Sequence, residues 1–225
     1  MRVTTIVVGI LILPLLVSCG FYQPALVDMP MIKSKNDLRV DVGGSMNPSV
    51  YATISYGLTN QIAIQAFAKK SEQGIFYVQG ALGLYKSLYD NRVLEWYSGV
   101  GYGYGYAYND ANPGNLTGYY NQIFTQLNYG KTGCRFANMD YGVGLKVSYI
   151  DANTLNNYNY YEPMQISTVE NHSLLIEPQA FIRLGGKKLK FSTKIGYGML
   201  FKLFDADRYL PFDPLNVGIG LNYNF

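Results

Sequence analysis

From Leu38 to the last residue, apolar side chains recur at every second position, in one segment after another. The clearest segment is Arg92–Asn109. Leu94, Trp96, Val100, Tyr102, Tyr104, Tyr106 and Tyr108 fall on one face, and Val93, Glu95, Tyr97, Gly99, Gly101, Gly103 and Gly105 fall on the other. A period of two is the strand period. It is held here over more residues than a soluble strand usually needs. The apolar face carries Trp96 towards one end and Tyr102, Tyr104 and Tyr106 towards the other. That is the distribution of a lipid-facing strand with interfacial aromatic girdles. The opposite face is almost bare, with one carboxylate, Glu95, near its start.

Nine further segments share the period: Leu38–Gly44, Ser49–Leu58, Gln61–Lys69, Ile75–Ser87, Tyr119–Tyr129, Met139–Asp151, His172–Leu184, Lys188–Lys202 and Leu215–Phe225. Turn residues separate them, and the connections tend to alternate short and long. Asp110–Gly118, Ala152–Asn171 and a stretch with Pro211 and Pro214 read as long polar loops. The pattern predicts an all-β fold, an antiparallel up-and-down transmembrane β-barrel of ten strands over residues 38–225. Eight strands is the alternative, at the cost of fusing or discarding two segments. An even count puts both barrel ends on the short-turn, periplasmic side. A soluble lipocalin-like barrel with the apolar residues turned inward is the architectural rival.

Charged residues are 15% of the chain, against roughly 25% in ordinary soluble domains. This suits a barrel whose outer wall meets lipid. The net charge of +3, with no basic cluster beyond Lys187-Lys188, excludes a nucleic-acid partner. Arg2 and the apolar run Ile6–Val17 form a targeting segment too short to span a bilayer comfortably. Leu16-Val17-Ser18-Cys19 then looks like a bacterial lipobox. The reading is a lipoprotein signal peptide over 1–18, lipid attachment at Cys19 and a lipidated tether over 19–37, which anchors the barrel at its periplasmic end. Cys134 is then left alone, so no disulfide framework forms within the monomer.

With these features the chain resembles small lipid-anchored outer-membrane β-barrel proteins of the OmpX-like or porin-like broad class. The carriers are the lipobox ending in Cys19, P-M-I-K-S-K-N-D-L-R-V-D-V-G-G (Pro30–Gly44), Y-G-L-T-N-Q-I-A-I-Q-A (Tyr56–Ala66), E-P-Q-A-F-I-R-L-G (Glu177–Gly185) and the terminal Phe225. The resemblance implies insertion by the barrel-assembly machinery, for which Phe225 ends the signal strand. It implies membrane lipid as a partner and a location in the bacterial outer membrane. It implies no defined activity.

The chemistry-bearing candidates face inward: Arg39, Asp41, Glu95, Lys146, Glu177, Arg183, Lys190 and Lys194. An unpaired buried charge is costly, so these should pair or meet water. Either they form a structural network filling the lumen or they line a pathway, which would favour anions because cations outnumber carboxylates in the set. The inward glycines predict a roomier outer half. No catalytic residue, metal site or cofactor is assigned. Glu170-Asn171-His172-Ser173 and Asp205-Ala206-Asp207 are only reminiscent of the omptin proteases, whose motif order differs. His172 and Ser173, being adjacent, point to opposite faces, which disfavours a lipid A deacylase. The leading expectation is a structural or narrow-lumen passive barrel that is not an enzyme. A binding or adhesion role for the external loops, Ala152–Asn171 above all, comes second.

Overall fold

A computed structural model describes residues 21–46, 48–72, 74–109, 114–134, 138–158, 166–203 and 210–225. Eleven strands follow in chain order: Leu38–Ser45 (β1), Ser49–Gly57 (β2), Ile62–Ser71 (β3), Phe76–Ser87 (β4), Arg92–Asn109 (β5), Gly114–Cys134 (β6), Met139–Tyr158 (β7), Ile166–Gly185 (β8), Leu189–Tyr197 (β9), Met199–Leu203 (β10) and Leu215–Asn224 (β11). β1 to β9 pair antiparallel in chain order, β10 pairs with β8, and β1 pairs with β11. β9 bridges β8 to β11, which closes the ring.

β9 and β10 are two halves of one strand, so the closed barrel has ten strands and the eight-strand alternative falls. Both halves keep one register on β8, with Gly196 opposite Gln179 and Met199 opposite Ile176. The break comes where the register runs past Pro178. That residue has no N–H to give, and the Gly198 N–H instead donates to the Pro214 carbonyl at 2.6 Å.

The alternation sorts the two faces of the wall. Val50, Ile54, Leu82, Trp96, Val100, Ile123, Leu127, Val143, Ile182, Phe191, Ile195, Ile219 and Leu221 are exposed on the outside. Gln65, Gln79, Gln122, Gln126, Asn128, Asn216 and Asn222 are buried on the inside, together with the charged residues. A soluble barrel with an apolar cavity would show the reverse, so the wall is not lipocalin-like.

One end of the barrel carries the tight connections after β2, β4, β6 and β8, together with the start of β1 and the end of β11. The other end is uneven. β4 pairs with β5 only as far as Phe76 opposite Tyr104, and β10 pairs with β8 only from His172 to Ile176. Beyond those levels β5, β6, β7 and β8 continue alone, to Asn109 opposite Gly114 and Asn157 opposite Ile166. The loops expected at Asp110–Gly118 and Ala152–Asn171 are therefore much shorter. Most of their residues extend two long hairpins.

The stretch expected to be a tether is the largest departure. Over its described part it does not lie outside the barrel. Residues 21–33 run through the lumen, and Phe21, Tyr22, Ala25, Leu26, Val27, Met29, Met31 and Ile32 are all about as buried as a core residue can be, at 0–1% exposure. Cys19 and the signal segment lie outside the described residues.

Candidate functional site

The luminal segment joins no strand: Pro24 and Pro30 interrupt its donor pattern, the Val27 N–H turns back to the Ala25 carbonyl at 2.7 Å, and Met31 has a φ of 59°. Its backbone polar groups still need partners in a place without bulk water. Inward side chains of the wall supply them. Asn216 donates to the Pro24 carbonyl at 2.7 Å, Gln179 to that of Ala25 at 3.0 Å and Gln65 to that of Asp28 at 2.9 Å. Arg183 donates to the Met29 carbonyl at 2.6 Å, and Ser87 to that of Lys33 at 2.9 Å. In the other direction, the Ile32 N–H donates to Glu95 at 2.7 Å. The ends are tied too: the Tyr22 N–H donates to Pro211 at 3.2 Å and the Asp213 N–H to the Tyr22 carbonyl at 3.0 Å.

Asp28 is the electrostatic centre. Its carboxylate lies 2.6 Å from the Arg183 guanidinium and 3.0 Å from the Lys194 ammonium. Lys194 also donates to Asp41, which accepts from Ser192 at 3.2 Å, and Asn222 reaches both Asp28 and Asp41. Arg183 stacks 4.1 Å over the Phe181 ring. Of the eight luminal charges read from the sequence, Asp41, Arg183 and Lys194 thus meet in one cluster, around a residue the tether reading left outside.

The other five divide into three places. Lys146 and Glu177 sit opposite each other on β7 and β8, 3.8 Å apart and without solvent exposure. Gln79 accepts from Lys146 at 2.9 Å, and Tyr22 of the luminal segment donates to Glu177 at 3.2 Å. Glu95 receives Ile32 and Asn128 and has no ion pair among the described residues. Lys190 pairs with Asp140 at 2.6 Å and Arg39 with Asp37 at 3.2 Å, both at the short-turn mouth. There a cavity of about 110 Å³ is lined by Lys33, Arg39, Lys187, Lys188, Lys190 and Asp140. Burial, and then repulsion from Arg39, hold the Lys33 ammonium below its usual range.

Two expectations change with this geometry. The excess of cations read from the eight residues is largely cancelled, because Asp28 and Asp140 add carboxylates where Arg183, Lys194 and Lys190 lie. The outer half is also not roomy. A Cβ on Gly101 would meet the Tyr77 ring, on Gly103 the Tyr120 ring and on Gly105 Phe21, all inside 3.0 Å. The glycines are where rings from the flanking strands β4 and β6, and from the luminal segment, press on bare backbone. Tyr77 and Tyr120 stack at 5.9 Å, and Tyr22 meets Tyr120 edge-on at 5.5 Å.

On the outside, Trp96 is 55% and Tyr102 41% exposed, and the Trp96 indole N–H donates to Thr125 at 2.6 Å. Tyr102, Tyr104, Tyr119 and Phe76 form one ring cluster at the long-loop level, and Tyr106 lies just beyond. Tyr223 and Phe225 form another at the opposite end, with Phe225 67% exposed. His172 is on the outer face of β8, 3.3 Å from Asp151 and 2.9 Å from the Tyr149 hydroxyl, facing away from the lumen. Asp205 and Asp207 lie outside the described residues. No cluster of potential metal ligands occurs among the described residues.

Sequence reasoning missed Asp28 and the luminal segment. The signal was present. A solvated linker is polar, whereas A-L-V-D-M-P-M-I is apolar throughout, with one carboxylate in the middle.

The fold and its filled interior define a class: a closed, ten-stranded, antiparallel barrel with its own chain as the filling. No family model matches the chain, and no curated protein matches it. Among solved structures it is similar to a bacterial polysaccharide outer membrane secretin at a TM-score of 0.25 and 8% identity, over 86% of this chain and 99% of that one.

Proposed function

We propose that the chain is a lipid-anchored barrel that spans a bacterial outer membrane and is sealed by its own N-terminal segment, with a structural rather than a conducting role. One observation carries this reading: the wall is apolar outside and polar inside, and residues 21–33 fill the lumen, held by inward side chains such as Asn216, Gln179, Gln65, Arg183 and Glu95. Trp96 and Tyr106 are ten positions apart on the outer face of β5. With a strand tilt near 40° that is about 23–26 Å, the height of an apolar band between two aromatic girdles. The short turns then lie in the periplasm. Membrane lipid and the barrel-assembly machinery are the partners this implies, and Phe225 ends the strand the machinery would read.

The test is direct. The protein should need detergent for extraction, migrate differently on a denaturing gel before and after heating, and give no steady current in a planar bilayer. Full solubility without detergent of a Cys19→Ser variant defeats the membrane reading. A large steady conductance of the unaltered protein defeats the seal.

A binding role is favoured by a separate observation, the wall of β5–β8 that rises alone above the belt. It is rich in Tyr, Asn and Thr and offers an exposed face for a surface ligand. The proposed reading includes no catalytic step.

A further inference from the structure

We infer that the chain is threaded through its own barrel from the long-loop mouth to the short-turn mouth, so that whatever precedes Phe21, Cys19 included, is delivered to the long-loop side. The naming of that side as the cell exterior rests on the outer-membrane reading. The threading itself does not.

The direction is fixed at three levels. At the top, Phe21 packs on Gly105 near the far end of β5, and Tyr22 bonds to Pro211 and Asp213 in the connection from β10 to β11. In the middle, Asp28 holds Arg183 and Lys194. At the bottom, the Met31 sulfur lies on Gly130, Ile32 bonds to Glu95 and Lys33 to Ser87. Glu95 and Gly105 are ten positions apart on β5, a drop of about 23–26 Å along the barrel axis. The segment covers it between Phe21 and Ile32, at roughly 2–2.4 Å per residue, within the reach of about 3.3–3.6 Å for an extended chain.

Covalent geometry does the rest. Consecutive Cα atoms are about 3.8 Å apart, so the Cα of Cys19 is within about 8 Å of that of Phe21. It cannot return over the drop to the short-turn mouth, where β1 begins and β11 ends. Acyl groups carried at Cys19 therefore belong to the long-loop side, in the outer leaflet when the short turns are periplasmic. This reverses the periplasmic anchor that an even strand count suggests. It also has a consequence for assembly. A lipid-bearing end cannot be drawn through a lumen packed with rings, so the wall must close around residues 21–33.

Epitope insertion tests the inference. One tag goes between Gly20 and Phe21, one into the tight connection at Asn60, and one after Glu72 in the connection at the long-loop end. Antibody binding is compared on intact and permeabilised cells, for variants that keep heat-modifiable migration. The Gly20 tag is expected to behave as the Glu72 tag, both reached on intact cells, with the Asn60 tag reached only after permeabilisation. A Gly20 tag that follows the Asn60 tag overturns threading. Exposure of the Asn60 tag alone on intact cells overturns the proposed orientation and leaves threading standing. A second measurement needs neither tags nor a membrane. Proteinase K treatment of the folded, untagged protein in micelles, read by mass spectrometry, should spare the bonds from Tyr22 to Ile32 until the barrel is unfolded. Cleavage there in the folded protein overturns the inference.

Discussion

At the scale of single residues, Asp28 decides whether the buried cations of the lumen are compensated. Replacing it with Ala leaves Arg183 with no carboxylate within ion-pair distance among the described residues, and Lys194 with Asp41 alone among them. Removing one partner of a buried pair typically costs about 3–5 kcal/mol, because the remaining charge stays desolvated. We expect Asp28→Ala to lower the urea midpoint accordingly, followed by the fluorescence of the only tryptophan, Trp96. The double variant Asp28→Leu with Arg183→Met should recover much of the loss, since an apolar pair needs no compensation. The glycines give a second contrast. Gly80 is outward with open space where a Cβ would go, so Gly80→Ala should change stability by no more than about 0.5 kcal/mol. A Cβ on Gly105 would run into the Phe21 backbone, so Gly105→Ala should cost about 1–3 kcal/mol. The same denaturation series measures both.

At the scale of elements, legibility followed the environment of each strand. Within the belt one face carries apolar residues outward and the other turns polar residues into the lumen, so alternation is strong and Arg92–Asn109 can be read residue by residue. Above the belt the contrast weakens: the inner face carries small or apolar residues such as Ala107, Leu116 and Ala152, and the outer face mixes Thr117 and Asn153 with Tyr106 and Leu155. Within Ala152–Asn171, residues 152–157 and 166–171 keep the backbone ladder, with Asn153 opposite Glu170 and Leu155 opposite Thr168, but have too little two-sided contrast to announce it. The luminal segment was hidden for another reason: it belongs to no strand, and its partners are side chains distant in sequence, from Gln65, 37 positions from Asp28, to Asn216, 192 positions from Pro24. Inward charges were legible from alternation, but their pairing with Asp28 depended on that segment. The segment also yields a prediction. Deleting residues 21–33 exposes a wall bearing Arg39, Lys69, Lys146, Arg183, Lys190 and Lys194 against Asp41, Glu95, Asp140 and Glu177. Planar-bilayer recording of the deletion variant should show steady conductance with a mild preference for anions, read from the reversal potential in a salt gradient. A silent bilayer from a variant that keeps heat-modifiable migration would mean the wall collapses or other residues seal it.

At the scale of the whole molecule, the proposal gives the chain two independent attachments to a membrane, and they can be separated. The outer wall exposes Val50, Leu82, Val100, Ile123, Ile219 and many similar side chains around the ring. A belt of this kind holds a closed barrel in a bilayer by itself, because no strand edge is left for water to pair with and the outward residues are apolar. Acyl chains at Cys19 add a second attachment, set by the number of buried methylenes and weaker than a membrane-spanning element. Removing the lipid should therefore leave the barrel in place. We expect a Cys19→Ala variant to lose incorporated palmitate, yet to sediment with outer membranes and to resist extraction by high salt and alkaline carbonate. A tether that held an otherwise soluble barrel would give the opposite result, with release into the soluble fraction on loss of the lipid. The substitution also isolates the effect of threading on assembly. Closure of the wall around residues 21–33 is driven by the Asp28 cluster and the ring stack of Tyr22, Tyr77 and Tyr120, none of which involves the lipid. The heat-modifiable band of the Cys19→Ala variant should thus appear at the wild-type temperature, while that of Asp28→Ala shifts downward.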